Sequence, residues 1–204
     1  MQPGEFATAE AYRASRIDYR ARCIAWRRLR TAALGPCMRL QFEDEATVRY
    51  QIHEALFIEG LTDEAAVRAE IAAYRHLVPA PGEWKASLLI EIPDAAERRR
   101  SLAALSDAAH SVYAAAAGLR VTAEANEDLA DRHRGRPSAV HFLRFALAPS
   151  LRDAVRAGAT LELGCMHPAY ACSARVGGAL REALQRELAP DSATPAPIRQ
   201  EETA

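Results

Sequence analysis

The sequence predicts an α+β (mixed α/β) protein: a mixed β-sheet of about five to six strands covered by helices, with a long N-terminal helix. Three observations predict it. Segments of helical periodicity alternate with short apolar or alternating runs, and Gly and Pro punctuate the boundaries between them. The 204 residues are 50% hydrophobic and 26% charged, the mixture of a folded domain. A chain of this length buries roughly two-thirds of its unfolded surface without disulfides. Residues 1–189 are therefore expected to form a single globular domain, and 190–204 a disordered tail.

The first element is a helix from Thr8 to Leu34, with Tyr12, Tyr19, Cys23, Trp26 and Ala33 on one stripe and Gly35-Pro36 as its stop. Its other face carries Arg13, Arg16, Arg20, Arg22, Arg27, Arg28 and Arg30 against only Glu10 and Asp18. Such a face is either solvated and paired within the fold, or a docking surface for an acidic partner or a second copy of the chain. Met38 to Phe42 reads as a strand. The acidic run Glu43-Asp44-Glu45 suits a helix start, and helices follow near Thr47 to Gly60 and Thr62 to Leu77. Pro79, Pro81 and Gly82 break the pattern before a strand from Lys85 to Ile92, which Pro93 ends; Asp94 caps a helix to about Asp107.

Val112 to Glu124, interrupted at Gly118, reads as a hairpin, and Asp131 to Pro137 as a charged loop. Ala139 to Leu147 is apolar on both faces apart from His141 and Arg144, the pattern of a central strand in a covered sheet. Pro149 opens a short helix, Thr160 to Met166 forms a strand leading into His167-Pro168, and Ala174 to Leu188 is the last helix.

Several function classes are excluded or disfavoured. The net charge of -1 is not that of a dedicated nucleic-acid or anionic-membrane surface. No N-terminal leader pattern and no membrane-length apolar run occurs, so a cytoplasmic location is expected. Cys23, Cys37, Cys165 and Cys172 form no C-x-x-C pair and are expected as free thiols. Glycine-rich nucleotide loops and a nucleophile elbow are absent. His53-Glu54 begins an H-E-x-x-H pattern, but Phe57 stands where the second histidine belongs.

Two constellations remain. Residues two apart on a strand share a face, so Cys165 and His167 point together, as do His141, Leu143 and Phe145. If the two strands are neighbours, His141, His167 and Cys165 converge, with Glu54 or Glu91 to complete a single iron or zinc site. The alternative is that Cys165 is a small core residue and both histidines are hydrogen-bonded within the core. In the second constellation Lys85, Ser87, Leu89 and Glu91 share a strand face. Lys85, the sole lysine beside 25 arginines, could join Glu91, Arg144 and Glu162 in a charged pocket for a small anion, or the row could be a solvated face laced with ion pairs.

Arg49-Tyr50-Gln51-Ile52 with Glu54, Trp84-Lys85-Ala86 running to Glu91-Ile92-Pro93-Asp94, His141-Phe142-Leu143-Arg144-Phe145, and His167-Pro168-Ala169-Tyr170 together resemble an uncharacterised bacterial family, domain of unknown function 3501, from about Glu10 to Leu188. Its members are often encoded near rubrerythrin-like and cysteine-rich iron-sulfur oxidoreductase proteins. The resemblance thus implies a link to iron, peroxide or electron-transfer chemistry, with such redox proteins as partners.

Overall fold

The computed structural model describes residues 1–125 and 138–189. They divide into two compact units, each discontinuous in sequence. The first is helical and comprises Met1–Leu29 and Glu43–Pro79; the second comprises Arg30–Phe42 and the described residues from Ala80 to 189, and holds the strands of the described residues.

In the helical unit, α1 (Ala9–Leu29) starts at Thr8, whose side chain accepts from the Ala11 N–H at 3.3 Å. Tyr12, Tyr19 and Cys23 are its buried residues, the stripe read from the sequence. It ends earlier than that reading gives. The alanines at 32 and 33 favour helix, yet Thr31–Leu34 pairs as a strand, a case of tertiary pairing overriding local propensity. Asp44 opens α2 (Glu45–Glu59) with a capping box, accepting from the Thr47 N–H at 2.8 Å while its own N–H donates to Thr47 Oγ1 at 2.9 Å. Trp26 Nε1 donates to the same aspartate at 2.9 Å and so ties α1 to the start of α2. Gly60, at φ +66, ends α2 in the left-handed conformation. Asp63 then caps α3 (Glu64–Arg75).

The second unit is built on two antiparallel four-stranded sheets. One is ordered β1 (Thr31–Leu34), β2 (Met38–Phe42), β3 (Glu83–Ile90), β6 (Val140–Ala146); the other β5 (Leu119–Thr122), β4 (Val112–Ala116), β7 (Leu161–His167), β8 (Tyr170–Val176). The helix-and-strand composition is the one expected, but eight strands in two antiparallel sheets replace the single mixed sheet of five or six. β6 is correspondingly an edge strand of its sheet. Its buried residues alternate, with His141, Leu143 and Phe145 inward, so the apolar residues on the other row are half-buried or exposed rather than covered. Beyond that edge the Arg144 backbone exchanges hydrogen bonds of 2.8 and 2.9 Å with Glu124.

Two strands escape the sequence reading. β1 is short and alanine-rich. β8 occupies the beginning of the predicted last helix, although Tyr170, Cys172, Ala174 and Val176 alternate with more exposed neighbours as a one-sided strand requires; the helix itself, α6, is Gly178–Glu187. The β1–β2 turn depends on Gly35, which has φ +65 and would place any Cβ against Tyr170 Oη. Asp94 caps α4 (Ala95–Ala104) through the N–H groups of Ala96 and Glu97, and α5 (Pro149–Arg156) starts at its proline as expected. The charged loop at 131–137 and the tail from Pro190 lie outside the described residues.

Residues of both sheets and of α5 and α6 share one apolar core, centred on Trp84, Phe42, Phe145, Leu143 and Leu163. Gly164 shows how tightly the second sheet is filled. A Cβ there would stand 2.5 Å from Cε1 and Oη of Tyr113, whose hydroxyl is held by Glu162 at 2.7 Å. Gly164→Ala is expected to cost about 1–3 kcal/mol through this overpacking, read as a lowered urea midpoint at unchanged slope.

Candidate functional site

In the helical unit, buried aromatic side chains from α1 and α2 cluster around His53. The apolar stripe of α1 brings Tyr12 and Tyr19, and α2 brings Tyr50 and Phe57 one turn to either side. His53 is 3% exposed. Its ring stacks on Tyr12 (centroids 4.9 Å apart, planes 5° apart), meets Tyr19 edge-on at 5.7 Å, and is covered by Phe6 at 4.8 Å. Among the described residues no hydrogen bond engages its ring. Burial holds its pKa down to about 4, with the Arg49 charge acting in the same direction, so the imidazole is neutral at neutral pH.

Beside this ring lies a cavity of about 660 Å³, lined by Phe6, Tyr12, His53, Leu56, Phe57 and Val67 among others. That volume is in the range of small-molecule sites; the wall is mixed, with Gln2, Thr8, Thr62, Glu64 and Arg68 beside the apolar residues. The neutral imidazole offers it one N–H donor and one lone pair.

Glu54 faces a different task from its neighbour. Arg16 grips it through two hydrogen bonds, Nε to Oε1 at 2.9 Å and Nη2 to Oε2 at 2.7 Å, while Tyr12 Oη donates to Oε1 at 2.6 Å. The Arg16 guanidinium holds the carboxyl below its usual range. Burial and the adjacent carboxylate push the Tyr12 phenol far up, so it stays a protonated donor. This network braces the Tyr12 ring against which His53 stacks, and Arg16 also lies 4.9 Å over Phe57.

The structure distributes the sequence-predicted residues differently. His141, His167 and Cys165 do face inward, as the strand patterns require, but β6 and β7 belong to different sheets. Their polar atoms are engaged. His141 Nε2 donates to the Ser138 carbonyl at 3.1 Å. His167 Nδ1 accepts from the Ala169 N–H at 3.2 Å, which leaves Nε2 to donate to Asp107 at 3.0 Å. Cys165 Sγ lies 3.8 Å from the Ala108 carbonyl, and burial pushes its thiol up. Glu54 is in the helical unit. Among the described residues, no group of three or more His, Cys, Asp or Glu side chains is arranged to hold a metal ion.

Lys85 and Arg144 do come together, paired across β3 and β6. Glu83 lies 3.8 Å from Lys85 and 3.2 Å from Arg144, which Glu124 also binds. Two carboxylates beside two cations leave no local excess of positive charge for an anion. Glu91 is elsewhere, exposed and paired with Arg39 at 2.5 Å, and Glu162 is on the other sheet with Tyr113. The arginines of α1 also separate. Arg16 serves the Glu54 network, while Arg13, Arg20, Arg22 and Arg28 remain exposed.

In the sequence His53 stands out only as half of an incomplete zinc motif. The overlooked signal was the tyrosine spacing on α1, which supplies an aromatic wall to whatever α2 presents.

Fold and site together define an α/β protein whose helical unit carries an open cavity with a neutral imidazole among aromatic rings in its wall. The chain belongs to the family described as protein of unknown function DUF3501, which it matches over residues 1–188. It is similar to a protein of unknown function from Burkholderia pseudomallei K96243 solved by crystallography: 39% identity, TM-score 0.86, covering 93% of this chain and 99% of that one. Comparison with curated proteins finds no match. No helix among the described residues is long and apolar enough to cross a membrane.

Proposed function

We propose that this protein binds a small, mostly apolar molecule in the cavity of its helical unit, with His53 as the polar anchor. The carrying observation is an imidazole, 3% exposed and with no hydrogen-bond partner among the described residues, set in the wall of a 660 Å³ cavity beside Phe6, Tyr12 and Phe57. The ring nitrogens are not among the buried polar atoms left without a partner, so they reach the cavity, where a ligand's hydrogen-bonding group takes the place of water. The ligand class is an aromatic or aliphatic body carrying a single hydrogen-bonding group, and its apolar contact supplies most of the affinity.

Titration with indole and p-cresol, followed by ligand-observed NMR and thermal shift, tests this. Saturable binding is expected in the parent. His53→Phe, which removes the hydrogen bond, is expected to weaken it on the order of ten-fold. Val67→Trp, which fills the cavity, is expected to abolish it. Binding indifferent to both substitutions would overturn the reading.

A metal-dependent redox role, which the family resemblance implies, would draw on His141, His167 and Cys165 of the second unit. Stoichiometric metal in protein purified without an affinity tag, lost in a His141→Ala, His167→Ala double variant, would replace the cavity reading with that one.

A further inference from the structure

The geometry points to Cys165 and Cys172 as a reversible dithiol–disulfide pair that reacts with low-molecular-weight disulfides. The two cysteines are direct partners in the β7–β8 register. Both stand on the inward rows of their strands, Cys165 with Leu161, Leu163 and His167, Cys172 with Tyr170, Ala174 and Val176. Opposed residues of an antiparallel pair project to the same face with Cα atoms about 4.5–5.5 Å apart, inside the span of about 4.4–6.8 Å that disulfides occupy.

The same comparison says what kind of bond would form. Opposed Cβ atoms typically sit about 4.5–5.5 Å apart, whereas a disulfide holds them at about 3.5–4.5 Å. Closing that gap strains the hairpin, and strained disulfides are the readily reduced ones. A reversible pair follows rather than a permanent staple.

Access divides the roles. Cys165 is fully buried and Cys172 half-buried, so the incoming disulfide meets Cys172 first. The Cys172 thiolate attacks one sulfur of RSSR, forming a mixed disulfide and releasing RS⁻. The Cys165 thiolate then attacks the Cys172 sulfur, forming the Cys165–Cys172 bond and releasing the second RS⁻. The two thiol protons pass to the released thiolates, so two protein thiols and RSSR become one protein disulfide and two RSH. Burial pushes both thiols up from their ordinary range, so the reaction is expected to quicken as pH rises above neutrality.

Cys37 is the competing partner. It is half-buried, its backbone N–H donates to Tyr170 Oη at 3.0 Å, and its charge is felt at Cys172. Peptide mapping separates the two pairings. Cleavage after Arg156 and Arg175 places Cys165 and Cys172 in one tryptic peptide, 157–175, whereas Cys37 falls in 31–39.

Folded protein treated with glutathione disulfide, alkylated and digested is expected to give peptide 157–175 with neither cysteine alkylated and two hydrogens fewer than the free dithiol. Dithiothreitol before alkylation should restore both labels. Cys37→Ser should behave like the parent, and Cys172→Ser should leave Cys165 alkylatable. A peptide that keeps both labels, that stops at the glutathione adduct, or that crosslinks to 31–39 would overturn the pairing.

Discussion

Between pH 6.5 and pH 4 the protein is expected to lose about 3 kcal/mol of stability through His53 alone. Above pH 6.5 the imidazole is neutral in both folded and unfolded chains and contributes no pH dependence. Below it the unfolded chain takes up a proton that the folded one refuses until about pH 4, so unfolding gains. Below pH 4 both states are charged and the loss stops growing. Glu54 acts in a lower window: its pKa is depressed from 4.5, so the stability it contributes above that value is lost as pH falls through its folded value. Urea unfolding across this range in the parent and in His53→Phe checks the assignment. The variant should decline less than the parent from pH 6.5 to 4.5; equal slopes would remove His53 as the cause.

The second large effect is expected at Arg30, which is 1% exposed. Its Nη1 pairs with Glu187 at 2.6 Å and its Nε donates to the Phe42 carbonyl at 3.1 Å. Arg30→Met removes one member of this ion pair from a buried position, a change that typically costs about 3–5 kcal/mol. Adding Glu187→Leu should recover most of the loss, because a buried ion pair replaced on both sides by apolar groups is often near neutral. Denaturant midpoints of the two variants decide it. A double variant as unstable as the single would mean that Arg30 acts through its other partners, the Phe42 carbonyl among them, rather than through the pair.

Much of this fold was legible where local rules and tertiary context agree. Met38–Phe42, flanked by Gly35-Pro36 and an acidic helix start, forms the predicted strand to the residue. Asp94 caps as its position demanded. Where local and tertiary preferences diverge, as in Thr31–Leu34, pairing with β2 wins and no window around the segment shows it.

The candidate site was legible in part for a related reason. The strand patterns give the inward direction of His141 and His167, but the groups that engage their nitrogens come from fold geometry: Asp107 reaches His167 from 60 residues away. His53 is the converse. Its letter was visible, but its burial depends on Phe6 and Tyr12, more than forty positions earlier in the chain, and no spacing rule joins them.

The Arg30–Glu187 pair also bears on synthesis. Its members are 157 residues apart, so at about 5–20 residues per second a ribosome makes the carboxylate roughly 8–30 s after the arginine. Through that interval Arg30 has no counter-charge from α6. Full consolidation of the second unit therefore waits for α6. A message truncated before the codons for α6 would yield a chain that chaperones and proteases meet as incomplete.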